Sequence, residues 1–136
     1  MANRFIIFDT AVFIDHLRTA RHADRILSVS GLVRNSSVVL SELYRGATKG
    51  EELAFIKSLT KNHPIVTPTE KNWVESGEIL GAIFRDKGFG PEKLRDLHFD
   101  VLIALSARHV GATVITSNRA DFELIKGYRE FSLEVW

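Results

Sequence analysis

Phe5-Ile6-Ile7-Phe8 is apolar at every position and is stopped at once by Asp9. A strand turns successive side chains to opposite sides, so a short run with no polar member has to be covered on both faces, as in a parallel sheet lying between helices. Thr113–Thr116 repeats the pattern near the other end of the chain, and Leu32–Asn35, Ile65–Thr67 and Phe131–Val135 supply further short strands. The segments between them have helical character. Val12, Phe13 and Leu17, then Ile26 and Leu27, mark one or two helices divided near Thr19-Ala20, and Gly31 ends that stretch. Ser36 or Ser37 is placed to cap a helix that stops at Gly46. Glu51–Leu59 reads as another helix, ended by Asn62-His63-Pro64.

Thr69 opens the longest expected helix, which runs to about Lys87, with Trp73, Gly77, Leu80 and Phe84 as its buried stripe. Gly88-Phe89-Gly90-Pro91 is a loop, after which Asp96 caps a helix that carries Asp100 and continues to Val110. Gly111 stops it, and Asp121–Ile125 forms a short helix before the last strand. Strand and helix alternate, which predicts an α/β fold: a mostly parallel sheet of about four to five strands, flanked on both faces by helices and joined by right-handed crossovers. With 136 residues, the expectation is one domain spanning 1–136.

The polar exceptions carry the chemistry. Asp9 ends the first strand, Glu42 lies within Val38-Val39-Leu40-Ser41-Glu42-Leu43, Asp100 precedes Val101-Leu102-Ile103-Ala104, and Asp121 follows Val114-Ile115-Thr116. In open parallel sheets, ligands bind beyond the carboxyl ends of the strands. Asp9 and Asp121 belong there directly, and Glu42 and Asp100 reach the same edge from the early turns of their helices. Two carboxylates about 5 Å apart repel by roughly 3 kcal/mol at an effective dielectric near 20. Protons, basic side chains or a hard divalent cation must offset that repulsion. A set of oxygen ligands without His or Cys suits Mg²⁺ or Mn²⁺, and such a site is suited to phosphodiester hydrolysis.

Composition narrows the alternatives. There is no cysteine, which excludes disulfides, zinc–thiolate centres and thiol nucleophiles, and none of the five histidines falls at a zinc-binding spacing. The formal charge is +1, so a local cluster of acids implies a net basic remainder that suits a polyanionic partner. Asp9 and Asp15 interrupt the apolar opening before a signal-peptide core can form, and no run approaches membrane-spanning length, so the expected location is the cytoplasm.

The chain resembles the PIN-domain family, and within it the VapC-like toxins of toxin–antitoxin pairs. The resemblance rests on Phe8-Asp9-Thr10 with Val12 and Ile14-Asp15, on Ser41-Glu42-Leu43-Tyr44-Arg45-Gly46, on Asp100-Val101-Leu102-Ile103-Ala104, and on Thr116-Ser117-Asn118 leading to Asp121-Phe122. It implies that Asp9, Glu42, Asp100 and Asp121 are the catalytic acidic quartet and hold Mg²⁺ or Mn²⁺, with Thr10, Thr116 and Asn118 in support. It further implies endoribonuclease activity on an RNA substrate, inhibition by a cognate antitoxin, and a homodimer. Ala11 stands where Asn frequently follows the Asp-Thr pair, which removes one polar contact near Asp9.

Blander readings compete at each position. Asp121 also looks like part of a helix cap, and Asp96 and Asp15 read as cap and surface residues. Arg45 and Arg119 are the basic residues placed for phosphate contact, whereas Arg18, Arg21 and Arg25 form a basic helical edge that needs no ligand. Trp73 and Phe84 are expected in the core. Two other functions fit the outline: a phospho-acceptor receiver module, disfavoured because Thr10 rather than a second acid follows Asp9, and a structure-specific DNA nuclease.

Overall fold

The structure, a computed structural model, describes residues 4–136. Five strands, β1 (Phe5–Phe8), β2 (Leu32–Ser36), β3 (Ile65–Val66), β4 (Ala112–Thr116) and β5 (Ser132–Val135), form one sheet in the order β3-β2-β1-β4-β5. Every pairing is parallel. Seven helices connect them: α1 (Thr10–Thr19), α2 (Ala23–Ser28), α3 (Ser37–Gly46), α4 (Gly50–Asn62), α5 (Glu70–Lys87), α6 (Pro91–His109) and α7 (Arg119–Lys126). Ile6 and Ile7 point to opposite sides of β1 and are both 0% exposed, so both faces of the sheet are covered. The α/β architecture expected from the apolar runs is the one observed. Receiver modules share the doubly wound plan but have the strand order 2-1-3-4-5, so the observed order sets that alternative aside.

The strand order reverses direction between β1 and β4, and open α/β sheets bind ligands at such switch points. Register then fixes which residues meet there. Phe8 pairs with Ile115, so the next residue on each strand, Asp9 and Thr116, emerge side by side at the carboxyl edge. The Asp9 N–H donates to the Ile115 carbonyl at 2.8 Å, which holds the first residue beyond β1 against β4.

Ser36 caps α3 by accepting from the N–H groups of Val38 and Val39, and Thr69 caps α5, as the sequence suggests. Expectations fail at two helices. The first concerns α6: it begins at Pro91 rather than at an Asp96 cap, because proline supplies a preset first helical residue. At 19 residues against 18, α6 rather than α5 is the longest helix.

The second failure concerns which face of α5 is buried. Trp73 and Phe84 are 50% and 53% exposed, while Asn72, Ser76, Ile79 and Ile83 face the interior. The inward stripe is one residue, or about 100° of helix rotation, from the expected one. Its polar members are satisfied locally: Asn72 completes the capping box with Thr69, and the Ser76 hydroxyl donates to the Trp73 carbonyl. Burial of these two side chains therefore leaves no orphaned hydrogen-bonding group.

Candidate active site

A cavity of about 760 Å³ opens at the carboxyl edge between β1 and β4, and Asp9, Glu42, Asp100 and Asp121 all line it. Asp9 stands at the N-cap position of α1 and is 3% exposed. Its Oδ2 accepts from Thr116 Oγ1 at 2.8 Å, and Thr116 Oγ1 in turn accepts the Asn118 N–H at 2.9 Å. Burial pushes the Asp9 carboxyl up to about 6; the bonds from Thr116 and the Thr10 and Ala11 backbone oppose the rise, and the Glu42 charge adds to it.

Glu42 reaches the cavity from the second turn of α3. Its Oε1 accepts from Thr10 Oγ1 at 2.8 Å, so the residue after Asp9 orients the second acid. Burial raises its pKa and nearby Asp96 adds to the rise, while the Thr10 bond and the charge of Arg45 oppose it. Asp100 lies two turns into α6, where burial and then the charges of Asp9, Glu42 and Asp121 push it up to about 9; only the Lys93 ammonium opposes them. Among the described residues no side-chain hydrogen bond reaches its carboxyl.

Asp121 sits in the first turn of α7. Asn118 caps that helix through its side-chain oxygen and also donates from Nδ2 to Asp121 Oδ2 at 3.1 Å. Capping and site membership were alternatives in the sequence; here one side chain serves both. The other oxygen, Oδ1, accepts from Lys93 Nζ at 2.7 Å.

The supporting residues separate clearly. Thr10 and Asn118 line the cavity, and Thr116 acts from behind Asp9. Asp96, expected as a cap, faces the same cavity from α6. Arg45 lines it with its guanidinium carbon 5.6 Å from the Phe99 ring centroid. Arg119 does not line it: its guanidinium pairs with Glu123 one turn along α7 at 3.0 Å, so its placement for phosphate contact is not borne out by position. Asp15 also lies outside the cavity, where its Oδ2 accepts from Ser117 Oγ at 3.0 Å. Sequence reasoning missed Arg95, which lines the cavity, and Lys93, which does not line it but reaches the site through its bond to Asp121. Lys93 becomes legible once α6 is started at Pro91, because it then falls two turns before Asp100.

In donor chemistry the quartet fits a hard divalent cation: one buried and three half-buried carboxylates with amide or hydroxyl oxygens, no sulfur, and a mutual repulsion that a dipositive ion would relieve. Among the described residues no three acidic, His or Cys side chains converge closely enough to form a ready-made coordination group.

The sequence matches the profile of the PIN domain family over residues 6–127. The fold is similar to a chain in the crystal structure of DNA-bound VapBC from Salmonella typhimurium, with a TM-score of 0.71, 24% identity and 99% of each chain covered. It is similar to a chain of VapBC2 from Rickettsia felis bound to a DNA fragment from their promoter (TM-score 0.68, 22% identity, 97% of this chain and 98% of that one). A chain of a toxin–antitoxin complex from Klebsiella pneumoniae also aligns, with a TM-score of 0.60, 21% identity and coverage of 86% and 89%. No curated protein sequence matches significantly. At these identities the structural likeness establishes the fold, while the profile spans most of the chain: this protein belongs to the PIN domain family.

Proposed function

We propose that residues 1–136 form one PIN-like nuclease domain that hydrolyses RNA phosphodiester bonds at a Mg²⁺ or Mn²⁺ site, and that the protein is the toxin of a toxin–antitoxin pair acting in the cytoplasm. The observation that carries this reading is the meeting of Asp9, Glu42, Asp100 and Asp121 in one cavity at the switch point of a PIN fold. A hard divalent cation bound there would neutralise charge at a phosphoryl oxygen and acidify a water molecule.

The four carboxylates would hold that ion, with Thr116 fixing one Asp9 oxygen and Thr10 fixing one Glu42 oxygen. Without the ion, Asp100 keeps its proton at neutral pH and must release it to become a ligand, so cation affinity rises with pH. Arg45 at the cavity wall is placed to meet a backbone phosphate. Water supplies the attacking oxygen, the P–O3′ bond breaks, and the departing oxygen takes a proton. The products are a 3′-hydroxyl and a 5′-phosphate, with no covalent enzyme intermediate.

A second cavity, lined by Ile14, Leu17, Leu43, Ala47 and Ile56, meets the acidic one at Ile14 and Glu42. A polypeptide that laid apolar side chains along this groove and a cation among the carboxylates would block the site, which supports an antitoxin as the natural inhibitor. The same reading expects a homodimer, and exposed Trp73, Val74 and Phe84 on α5 supply an apolar face for one.

The test incubates wild type and Asp9→Asn with a mixed RNA pool in Mg²⁺, Mn²⁺ or EDTA, and in parallel expresses both in bacterial culture. Wild type with metal fragments the RNA and arrests growth; the variant and the EDTA samples do not. Equal RNA integrity and equal growth for the two proteins would overturn the proposal. Cleavage of flapped DNA in place of RNA would favour the structure-specific DNA nuclease.

A further inference from the structure

Both oxygens of Asp121 are already in use. Oδ2 is fixed by Asn118 Nδ2 at 3.1 Å and Oδ1 by Lys93 Nζ at 2.7 Å. A cation drawing on Oδ1 therefore has to share that oxygen with the Lys93 ammonium or displace it, and the like charges favour displacement. Among the described residues Lys93 is the one basic side chain in ion-pair contact with the quartet, since Arg45 stands over Phe99 and Arg95 makes no ion pair.

The bond is built to exchange. The Lys93 side chain is 41% exposed on a flexible four-carbon stem, so its ammonium can swing from Asp121, itself 17% exposed, into solvent. Asn118 keeps Asp121 oriented whether or not Lys93 is present, because it grips the opposite oxygen and caps the same helix. A permanent structural role for Lys93 is thus redundant, whereas a charge-balancing role is not: four carboxylates lining one cavity need a cation in any state in which more than one is ionised.

Building on the metal-dependent nuclease reading, we propose that Lys93 is the resident counter-cation of the acidic pocket, which competes with the divalent ion for Asp121 and, once displaced, turns its ammonium to the phosphate of the incoming strand. Lys93 then guards the site against loose binding of cations and becomes a contact for the nucleic acid only after the ligand set is complete. An ammonium on a mobile stem suits this double use better than a guanidinium locked in a planar fork.

The test compares wild type, Lys93→Met and Lys93→Arg by two measurements that a merely structural role would move in the same direction. Calorimetric titration with MnCl₂ at pH 8, without RNA, is expected to show Mn²⁺ bound about three- to tenfold more tightly by K93M, as follows from removing a positive charge near the ligands. Steady-state cleavage of a short single-stranded RNA is expected to show a KM raised about tenfold in K93M with a smaller change in kcat, as for loss of a phosphate contact. K93R is expected to remain close to wild type in Mn²⁺ affinity. Thermal melting of each variant checks that the fold is intact. Mn²⁺ bound by K93M with equal or weaker affinity than wild type overturns the proposal and leaves the nuclease reading standing. An unchanged KM overturns its second half. Absence of Mn²⁺ binding in wild type and K93M alike overturns the metal-dependent reading, and this proposal falls with it.

Discussion

Thr116 Oγ1 donates to Asp9 Oδ2 at 2.8 Å, joining residues 107 positions apart that the parallel register of β1 and β4 sets side by side. The hydroxyl has a second task, accepting the Asn118 N–H, so one side chain ties the first acid of the site to the loop that positions the last. Replacing it with valine keeps the shape and deletes both bonds. Thr116→Val is expected to lose about 1–3 kcal/mol of stability, because buried hydrogen-bonding groups are left without partners. It also loses the bond that holds down the Asp9 pKa, so on the proposed reading metal-dependent RNA cleavage is expected to fall about 10–100-fold and its pH profile to move to higher pH. Denaturant melts and a pH–rate series check the two effects, and wild-type cleavage with an unshifted profile would remove Thr116 from the site.

Asp100 makes stability depend on pH in an unusual direction. Its carboxyl is pushed up to about 9 in the fold from an ordinary 3.8, so between those values the folded chain holds a proton that the unfolded chain has lost. The contribution is present in full below about pH 4 and disappears as pH rises through about 9. In EDTA the melting temperature is expected to fall from pH 5 to pH 9, with Asp9, raised to about 6, adding to the lower part of that range. Asp100→Asn removes most of the slope and melts about 5 °C higher than wild type at pH 8, where 1 kcal/mol moves a domain of this size by about 4 °C. Saturating Mg²⁺ recovers wild-type stability at pH 8 and leaves the variant nearly unchanged. Parallel pH dependences for the two proteins in EDTA would contradict the assignment.

Arg45 and Arg119 are both basic and both near the site in sequence, yet only one is in position. Arg45 lines the cavity, whereas Arg119 is 67% exposed and spends its charge on Glu123. Arg45→Ala is expected to raise KM for RNA about tenfold and to reduce the dependence of binding on salt by about one phosphate contact. Arg119→Ala is expected to change KM less than twofold. Measuring KM at several salt concentrations separates them, and equal effects would show that charge anywhere on this edge suffices.

The parts of the fold that the sequence disclosed are those with one dominant physical signal. Phe5–Phe8 admits only a strand covered on both faces, Ser36 sits where a cap is needed, and an acid directly after an apolar strand, such as Asp9, has few places to go. Glu42, Asp100 and Asp121 followed because each lies within a turn or two of the same sheet edge. The losses around α6 have a common cause. Asp96 resembles a cap because aspartate often is one, but Pro91 starts α6 five residues earlier and carries Asp96 to the cavity wall. That misplaced start also hid Lys93, since a residue outside a helix has no face to share with Asp100. Pairing between side chains distant in sequence, as between Lys93 and Asp121, has no local signature at all.

The reading of α5 failed for a different reason, and it yields a sharp contrast. Trp73, Leu80 and Phe84 outweigh Asn72, Ser76, Ile79 and Ile83 in apolar bulk, so periodicity chose the heavier stripe. The structure buries the lighter one because Asn72 and Ser76 satisfy themselves within the first two turns and because Ile83 is 0% exposed where α5 packs on α6. Ile83→Ala therefore opens a cavity in the core and is expected to cost about 2–5 kcal/mol. Phe84→Ala removes a larger side chain that is 53% exposed and is expected to cost less than about 1 kcal/mol in the isolated chain. Urea melts of the two variants at low concentration decide between the faces. A greater loss for Phe84→Ala under those conditions would mean that this stripe is covered in solution, and repeating the melts across a hundredfold range of protein concentration would then show whether a second copy of the chain covers it.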